Sequence, residues 1–201
     1  MSRPRRPFWR RALPWLGVAV GSAVVALVVL VVLVKLADRP AKVPTGFVPP
    51  KSVPRSAALP TDRMLFDSDR TGHFEIYVMR TDGSGAKALT KDRRFDSWWP
   101  RLSPDRRTVV FYRSPAGKHD LDFSVTSLWA MAVDGSRLTQ LRPAGLGGWT
   151  FQGHAEWSPD GRRLVMFGGS RINPQIFVTD ALGRKPRRVT DRPGTNIDPS
   201  W

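Results

Sequence analysis

Two aspartates spaced like the first ligands of a calcium loop lie in the segment DSDRTGHFEIY, which begins at Asp67. An EF-hand loop needs oxygen ligands at its first, third and fifth positions and a glutamate at its twelfth. Here the fifth position is Thr71, and the twelfth is Val78, inside a run typical of a β-strand. The segment therefore predicts a hairpin rather than a metal site, and we expect no bound metal.

A second group of polar residues is spaced to face a common channel. His154 precedes Trp157 by the spacing that separates Asp198 from Trp201, and Asp96 occupies the corresponding region one residue out of register. A ring of such groups could bind an ion, a peptide end or a small ligand. The favoured alternative is that each group hydrogen-bonds backbone amides between repeats, since buried polar groups usually have structural partners.

The segment SPAGKHDLDFSVTS, residues 114–127, is about twice as long as its counterpart at residue 67 and is predicted to be a loop. Loops on a rigid scaffold commonly carry recognition, so this loop is a candidate contact for a ligand or a partner protein. An insertion without function is an equally good interpretation. The charged candidates are Lys118, His119, Asp120 and Asp122.

The sequence carries no pattern that indicates catalysis. It has no cysteine, no GxSxG or HExxH motif and no phosphate-binding loop. Its three histidines, His73, His119 and His154, are too scattered to suggest ligand spacing. No catalytic residue and no cofactor are predicted.

The charge is concentrated at the N-terminus. The formal net charge is +15, but five arginines and no acidic residue lie in the first eleven residues. Residues 64–201 carry 21 basic and 15 acidic residues, a net charge of only +6. There is no arginine stripe interleaved with aromatics, so a nucleic-acid partner is not predicted.

Residues 12–34 form a stretch of 23 residues without a charge. A helix of that length reaches about 35 Å, enough for a hydrocarbon core of about 30 Å. Lys35 and Arg39 stand where a cleavage site would need small residues, which favours an uncleaved anchor over residues 12–36. The basic tail 1–11 should stay in the cytoplasm, which predicts a single-pass membrane protein whose C-terminal part is periplasmic or extracellular. Residues 37–61, with six prolines, read as a semi-extended linker.

After residue 62 one pattern recurs three times, at spacings of 44 to 55 residues. Each copy has two apolar strands, a short strand ending in Leu-Thr or its equivalent, and a polar stretch leading to a Ser-Pro-Asp turn. Ser103 of the first such turn aligns with Ser158 of the second. Arg106 stands in the first turn where the second has Gly161, so the first turn is expected to be strained or differently shaped. Four short antiparallel strands per repeat predict an all-β propeller with about three blades.

The motifs IYVM, DGS, LT and WSPDG, in that order, resemble the TolB-like (WD40-like) propeller repeat over residues 63–201. The resemblance implies about six blades and a role as a binding platform in the bacterial envelope. Only about three blades are recognisable in residues 62–201, and NIDPSW stops inside a predicted strand. We expect a truncated product or a fragment; the alternative is closure by association.

Two functions follow from this organisation. The first is a membrane-anchored, non-enzymatic propeller that binds a protein or peptide partner as an envelope scaffold. The alternative is the anchor and propeller of a dipeptidyl-peptidase-type serine peptidase whose catalytic domain is missing from these residues.

Overall fold

The chain divides into two units, residues 1–39 and residues 40–201, and a computed structural model describes residues 23–36 and 38–201. In the first unit, residues 23–36 form a helix whose residues are all exposed. At 1.5 Å per residue this helix extends about 21 Å, and no helix among the described residues is long and apolar enough to cross a membrane. The anchor predicted over residues 12–36 is therefore not confirmed. The tail 1–11 and residues 12–22 lie outside the described part.

The second unit contains three antiparallel sheets. The first sheet has the order β1 (Arg63–Ser68), β2 (Glu75–Arg80) and β3 (Lys87–Ala88). The second has β4 (Phe95–Leu102), β5 (Thr108–Pro115), β6 (Ser127–Ala132) and β7 (Thr139–Arg142). The third has β8 (Phe151–Trp157), β9 (Arg163–Gly169), β10 (Pro174–Asp180) and β11 (Arg187–Arg188). Two 3₁₀ turns, η1 (Phe123–Val125) and η2 (Leu146–Gly148), lie in the connections.

The strands form where β-branched and aromatic residues alternate between two apolar faces. In β5, Val109 and Phe111 pack towards the first sheet, in a buried cluster with Ile76. Val110 and Tyr112, on the opposite face of β5, belong to the cluster shared with the third sheet. The second sheet is thus covered on both faces, and the three sheets stack face to face.

The Ser-Pro-Asp turns connect the first two strands of the second and third sheets. The Ser158 hydroxyl donates to Asp160 at 2.5 Å, and the Ser103 hydroxyl donates to Asp105 at 2.6 Å. The amide at the fourth position donates to the serine carbonyl at 2.8 Å in both turns. The two turns therefore share one shape, and Arg106 adopts a left-handed φ of 60° beside the 67° of Gly161. The first Ser-Pro-Asp turn is therefore strained at Arg106, as expected, but its shape does not differ from that of the second turn.

Part of the predicted linker packs against the second sheet. Leu59 is buried, and its amide donates to the Arg106 carbonyl at 2.7 Å. The Thr108 hydroxyl donates to the Pro54 carbonyl at 2.6 Å. Residues 54–59 are therefore attached to the turn before β5, which a free spacer would not be.

Candidate binding site on the innermost strands

The strands β4 and β8 lie against each other at the edges of their sheets, and both contain a bulge at the same position. The bulged residues are Trp99, with φ of 52°, and His154, with φ of 48°; each stands four residues before the serine of the following turn. Asp198 follows the same register and has φ of 53°. Positive φ is uncommon for such side chains, and backbone strain of this kind clusters at binding sites. The equivalent residue in each of three successive repeats therefore has the same strained backbone conformation.

A chain of polar contacts joins these strands. Arg101 Nε donates to Glu156 Oε2 at 2.8 Å, and Arg101 Nη2 lies 3.0 Å from His154 Nε2. His154 Nδ1 lies 2.8 Å from Asp198 Oδ1. Because a guanidinium can only donate, Nε2 must accept, and the proton of a neutral imidazole is on Nδ1, where it is donated to Asp198. We call Arg101, His154, Glu156 and Asp198 the inner-strand cluster.

Asp67 adds a third carboxylate next to this cluster. The Trp99 amide donates to Asp67 Oδ1 at 3.2 Å. Burial raises the pKa of Asp67 above its ordinary value, although the Trp99 amide and the nearby charges of His119 and Arg101 oppose this shift. Glu156 pairs with Arg101, Asp67 lies within reach of the Arg101 charge, and Asp198 contacts His154. The site therefore contains three carboxyl groups and one guanidinium. Such a site suits a cationic group or a set of N–H donors.

Aromatic rings form one wall of the site. The Trp99 ring centroid lies 5.5 Å from that of His154 and 6.1 Å from that of Phe123. Phe123 belongs to η1 in the long loop 114–127, and its ring contacts Phe151 at 5.0 Å. The loop is therefore fastened beside the bulges by an apolar side chain.

Among the residues proposed from the sequence, the structure brings His154 and Asp198 together. Asp96 lies apart from them: it is 3% exposed and accepts hydrogen bonds from the Phe74 amide at 3.0 Å and the Gly117 amide at 2.7 Å. Trp99, not Asp96, holds the position equivalent to His154. The Asp96 carboxylate instead accepts hydrogen bonds from two backbone amides, which is the structural role that the sequence analysis gave as the alternative to ligand binding.

The four charged residues of the long loop divide into two pairs. The His119 ring stacks on Phe74 at 3.8 Å, and Asp122 caps η1 by accepting from the Ser124 amide at 3.0 Å. Both side chains therefore hold the loop in place. Lys118 and Asp120 are exposed, and the Asp120 carboxylate lies 3.6 Å from His119 Nδ1.

Sequence reasoning missed Trp99, Arg101 and Glu156. A usable signal was present, because Arg101 and Glu156 both stand two residues before the turn serine and carry opposite charges. Equivalent positions of neighbouring repeats face one another, so the opposite signs predict an ion pair. Within residues 23–36 and 38–201, no group of three or more His, Asp or Glu side chains could hold a metal ion.

Stacked antiparallel sheets whose edge strands converge define part of a β-propeller. A structure assigned as TolB from Agrobacterium tumefaciens superposes with a TM-score of 0.54 at 21% identity, covering 65% of this chain and 43% of that one. TolB from Acinetobacter baumannii gives a TM-score of 0.51 at 20% identity, covering 68% and 31%. These structures show that the fold is a TolB-like β-propeller, of which three blades are described.

Two curated relatives extend the similarity to sequence. A TolB homologue of Chlorobium luteolum is 27% identical over 141 residues, which cover 69% of this chain and 28% of the homologue. An uncharacterised protein of Agrobacterium fabrum is 35% identical over 100 residues, 49% of this chain and 33% of the relative. The matched residues thus span about a third of the length of these relatives. No protein-family model matches the chain.

Proposed function

We propose that this chain is a non-enzymatic binding scaffold of the bacterial cell envelope, which recognises a protein or peptide on the innermost strands of its propeller. The observation that carries the proposal is the inner-strand cluster. Its members Arg101, His154, Glu156 and Asp198 lie where the blades converge, and two of them, His154 and Asp198, occupy the same strained position of successive repeats. A binding platform is also the role that the TolB-like resemblance implies.

The chemistry of the cluster points to the part of a partner that it recognises. Asp67, Glu156 and Asp198 together carry more negative charge than Arg101 neutralises. Asp198 has a side chain that is 56% exposed, so it can meet an incoming ligand while its other contact holds His154. A peptide amine or a lysine side chain supplies the cationic donor that this arrangement lacks. We assign the recognised group to that class.

The exposed residues of the long loop extend the proposed contact surface. Lys118 and Asp120 lie on the same loop as Phe123, which packs against the wall of the site. A peptide bound at the cluster would pass this loop, and its side chains could pair with either charge. The loop is therefore proposed as a secondary contact beside the main site.

A short panel of labelled peptides tests the proposal. The panel contains a lysine-rich peptide with a free N-terminus, the same peptide acetylated at its N-terminus, and an acidic peptide of equal length. We expect the full chain to bind the first most tightly in a fluorescence anisotropy titration. Equal affinity for all three peptides, or no binding, would remove the support for recognition of a cationic group.

The finer proposal concerns location: the N-terminal segment anchors the chain, and the propeller lies outside the cytoplasmic membrane. Its support is the uncharged stretch 12–34, the arginines before it and the described helix, in which Val25 and Leu27 are 62% and 61% exposed. Apolar side chains that are exposed in this way among the described residues are suited to a lipid environment.

Reporter fusions test this placement. Alkaline phosphatase, which is active only outside the cytoplasm, fused after residue 60 should be active, and the same enzyme fused after residue 11 should be inactive. A cytoplasmic reporter that is active after residue 60 would contradict the proposed orientation.

A serine-peptidase function is not proposed. The relative that extends the similarity to sequence over most of this chain is a TolB homologue, and the two structures that superpose on it are TolB structures. His154 is engaged by Arg101 on one nitrogen and by Asp198 on the other, so it has no free nitrogen with which to activate a nucleophile.

A further inference from the structure

Arg142, the last residue of β7, is a buried cation. It is 3% exposed, and burial lowers the pKa of its guanidinium to about 10, which leaves it charged at neutral pH. Its Cζ lies 3.9 Å from the Trp149 ring centroid, and its Nη2 donates to the Leu146 carbonyl at 2.6 Å. Its Nε is buried and has no hydrogen-bond partner among the described residues. Neither the ring nor the carbonyl carries a charge, so the buried cation is not neutralised by them.

The repeat does not require an arginine at this position. The first and third sheets have Thr90 and Thr190 there, and each hydroxyl accepts from a backbone amide of the neighbouring strand, at 2.9 Å and 3.0 Å. A neutral residue therefore completes the equivalent hairpin in both other sheets. The charge of Arg142 is an addition that pairing of the strands does not explain.

Tyr112 supplies a second donor on the same face of the second sheet. It is 1% exposed, and its hydroxyl has no hydrogen-bond partner in the part of the chain that the structure describes. Tyr112 pairs with Leu128, and Leu128 pairs with Arg142; residues paired across adjacent strands project from the same face. Burial raises the pKa of Tyr112, and the charge of Arg142 opposes this shift. The phenol and the guanidinium are therefore near enough to interact.

The third sheet covers this face. Tyr112, Leu128 and Leu164 of β9 belong to one buried cluster. A Cβ added to Gly183, in the hairpin between β10 and β11, would lie 3.3 Å from Leu128 Cδ2 and 3.6 Å from Arg142 Cβ. Because the two sheets pack this closely, a ligand beside Arg142 has to be small.

Arg113 is a second buried arginine of the same sheet, and it has a counter-ion. It is 2% exposed, and its Cζ lies 4.2 Å from the Phe95 ring centroid. Its Nη2 lies 3.5 Å from the carboxylate of Asp92. No carboxylate within residues 23–36 and 38–201 acts on Arg142 in this way. The two arginines thus have similar burial and aromatic contacts and differ in their charge partner.

We propose that a chloride ion binds between the second and third sheets as the counter-ion of Arg142, with Arg142 Nε and the Tyr112 hydroxyl as its donors. A buried charge is costly unless an opposite charge pairs with it. A monovalent ion balances the single positive charge, and a monatomic ion is small enough for a closely packed interface. A water molecule would accept the same hydrogen bonds but would leave the charge unbalanced. The inference rests on the packing of the two sheets and not on the proposed function.

Thermal unfolding of the full chain in mild detergent tests the proposal. The midpoint Tm is compared in sodium chloride and in sodium gluconate at matched ionic strengths, because gluconate is too large for the interface. An ion that binds only the folded chain raises Tm as its concentration increases. At a chloride concentration ten times its Kd, we expect Tm to be about 4 °C higher than in gluconate.

Two arginine variants show whether the ion lies at the proposed place. Arg142→Met removes the arginine without a carboxylate partner and should abolish the difference between chloride and gluconate. Arg113→Met removes the arginine that Asp92 pairs with and should preserve the difference. Both substitutions replace a buried charge by an apolar side chain, so they are matched in chemistry.

Two tyrosine variants keep the test decisive if an arginine variant does not fold. Tyr112→Phe removes one donor from the site and should raise the Kd for chloride about tenfold, as expected for a hydrogen bond to a charged group. Tyr77→Phe is the control, because the Tyr77 hydroxyl is also buried without a partner among the described residues but lies in the first sheet. It should leave the Kd unchanged.

Equal Tm values in chloride and gluconate would overturn the proposal. A chloride-dependent rise in Tm that persists unchanged in Arg142→Met or in Tyr112→Phe would also overturn it, because the ion would then bind elsewhere on the chain.

Discussion

Arg106 occupies a left-handed backbone position that its counterpart Gly161 adopts without a steric penalty. A non-glycine residue in this conformation costs about 1 kcal/mol. The Arg106 guanidinium donates to the carbonyls of Leu59 at 2.7 Å and Pro60 at 2.6 Å. Its side chain therefore fastens the segment before β1, which accounts for a strained residue where the repeat has glycine.

Substitutions at these two turns separate strain from side-chain contacts. Arg106→Ala keeps the strained backbone and loses the contacts, whereas Arg106→Gly loses the contacts and relieves the strain. We expect the glycine variant to be more stable than the alanine variant by about 1 kcal/mol. Gly161→Ala should cost a similar amount. The free energies of unfolding from urea titrations give both differences, and an alanine variant as stable as the glycine variant would contradict the assigned backbone conformation.

Trp99 shows what single residues of the sequence could not reveal. The spacing of His154 and Asp198 predicted that they share a register, and the structure places them in contact. Their third equivalent was missed because Trp99 differs from them in chemistry, and Asp96 was chosen instead for its charge. The property that all three share is a positive φ, which falls at a bulge in Trp99 and His154. A bulge depends on strand pairing that no single residue encodes.

At the scale of elements, the hairpins β2–β3 and β10–β11 contain the same hydrogen-bond network with different charges. In the first, the Thr90 hydroxyl accepts from the Ile76 amide at 2.9 Å and donates to the carboxylate of Glu75, which is 2% exposed. Glu75 also contacts His73 at 2.7 Å. A buried carboxylate thus depends on two neighbouring donors.

In the second hairpin the equivalent residues are neutral. The Thr190 hydroxyl accepts from the Ile176 amide at 3.0 Å and donates to Gln175 at 2.6 Å, and Gln175 donates to Asn173 at 2.6 Å. The geometry is preserved, so the two hairpins form a matched pair in which the charge of the acceptor differs.

This pair predicts that Thr90→Val is more destabilising than Thr190→Val. A hydrogen bond to a buried carboxylate contributes about 1.5–3 kcal/mol, and one between neutral groups about 0.5–1.5 kcal/mol. Each variant also removes the hydroxyl that accepts from a backbone amide, that of Ile76 or Ile176, and this loss is common to both variants. Urea titration of the two variants gives the comparison. Equal losses of stability would show that the charge of Glu75 does not strengthen its hairpin.

Most strands could be predicted from the sequence, because alternation and turn residues recur at each repeat. The docking of residues 54–59 could not be, since a proline-rich segment without apolar periodicity looks like a linker until the turn that receives it is known. The ion pair of Arg101 with Glu156 joins residues 55 positions apart and depends on how neighbouring blades face each other.

At the scale of the whole molecule, the candidate site exists only where blades converge. β4 supplies Arg101, β8 supplies His154 and Glu156, and the segment after the third sheet supplies Asp198. The first sheet adds Asp67. Since no single blade contains the set, the proposed specificity for a cationic group depends on how the blades are assembled. A substitution in the set should therefore weaken peptide binding without unfolding the chain.

Peptide affinity in charge-matched variants is the most direct measurement of this central claim. Asp198→Asn removes one charge at the inner-strand cluster, and Asp82→Asn removes one charge from the exposed hairpin between β2 and β3. For the lysine-rich peptide we predict a Kd about tenfold higher for Asp198→Asn, as expected for the loss of a charge-assisted hydrogen bond, and an unchanged Kd for Asp82→Asn. Equal Kd values for the two variants would contradict the claim that the innermost strands form the recognition site.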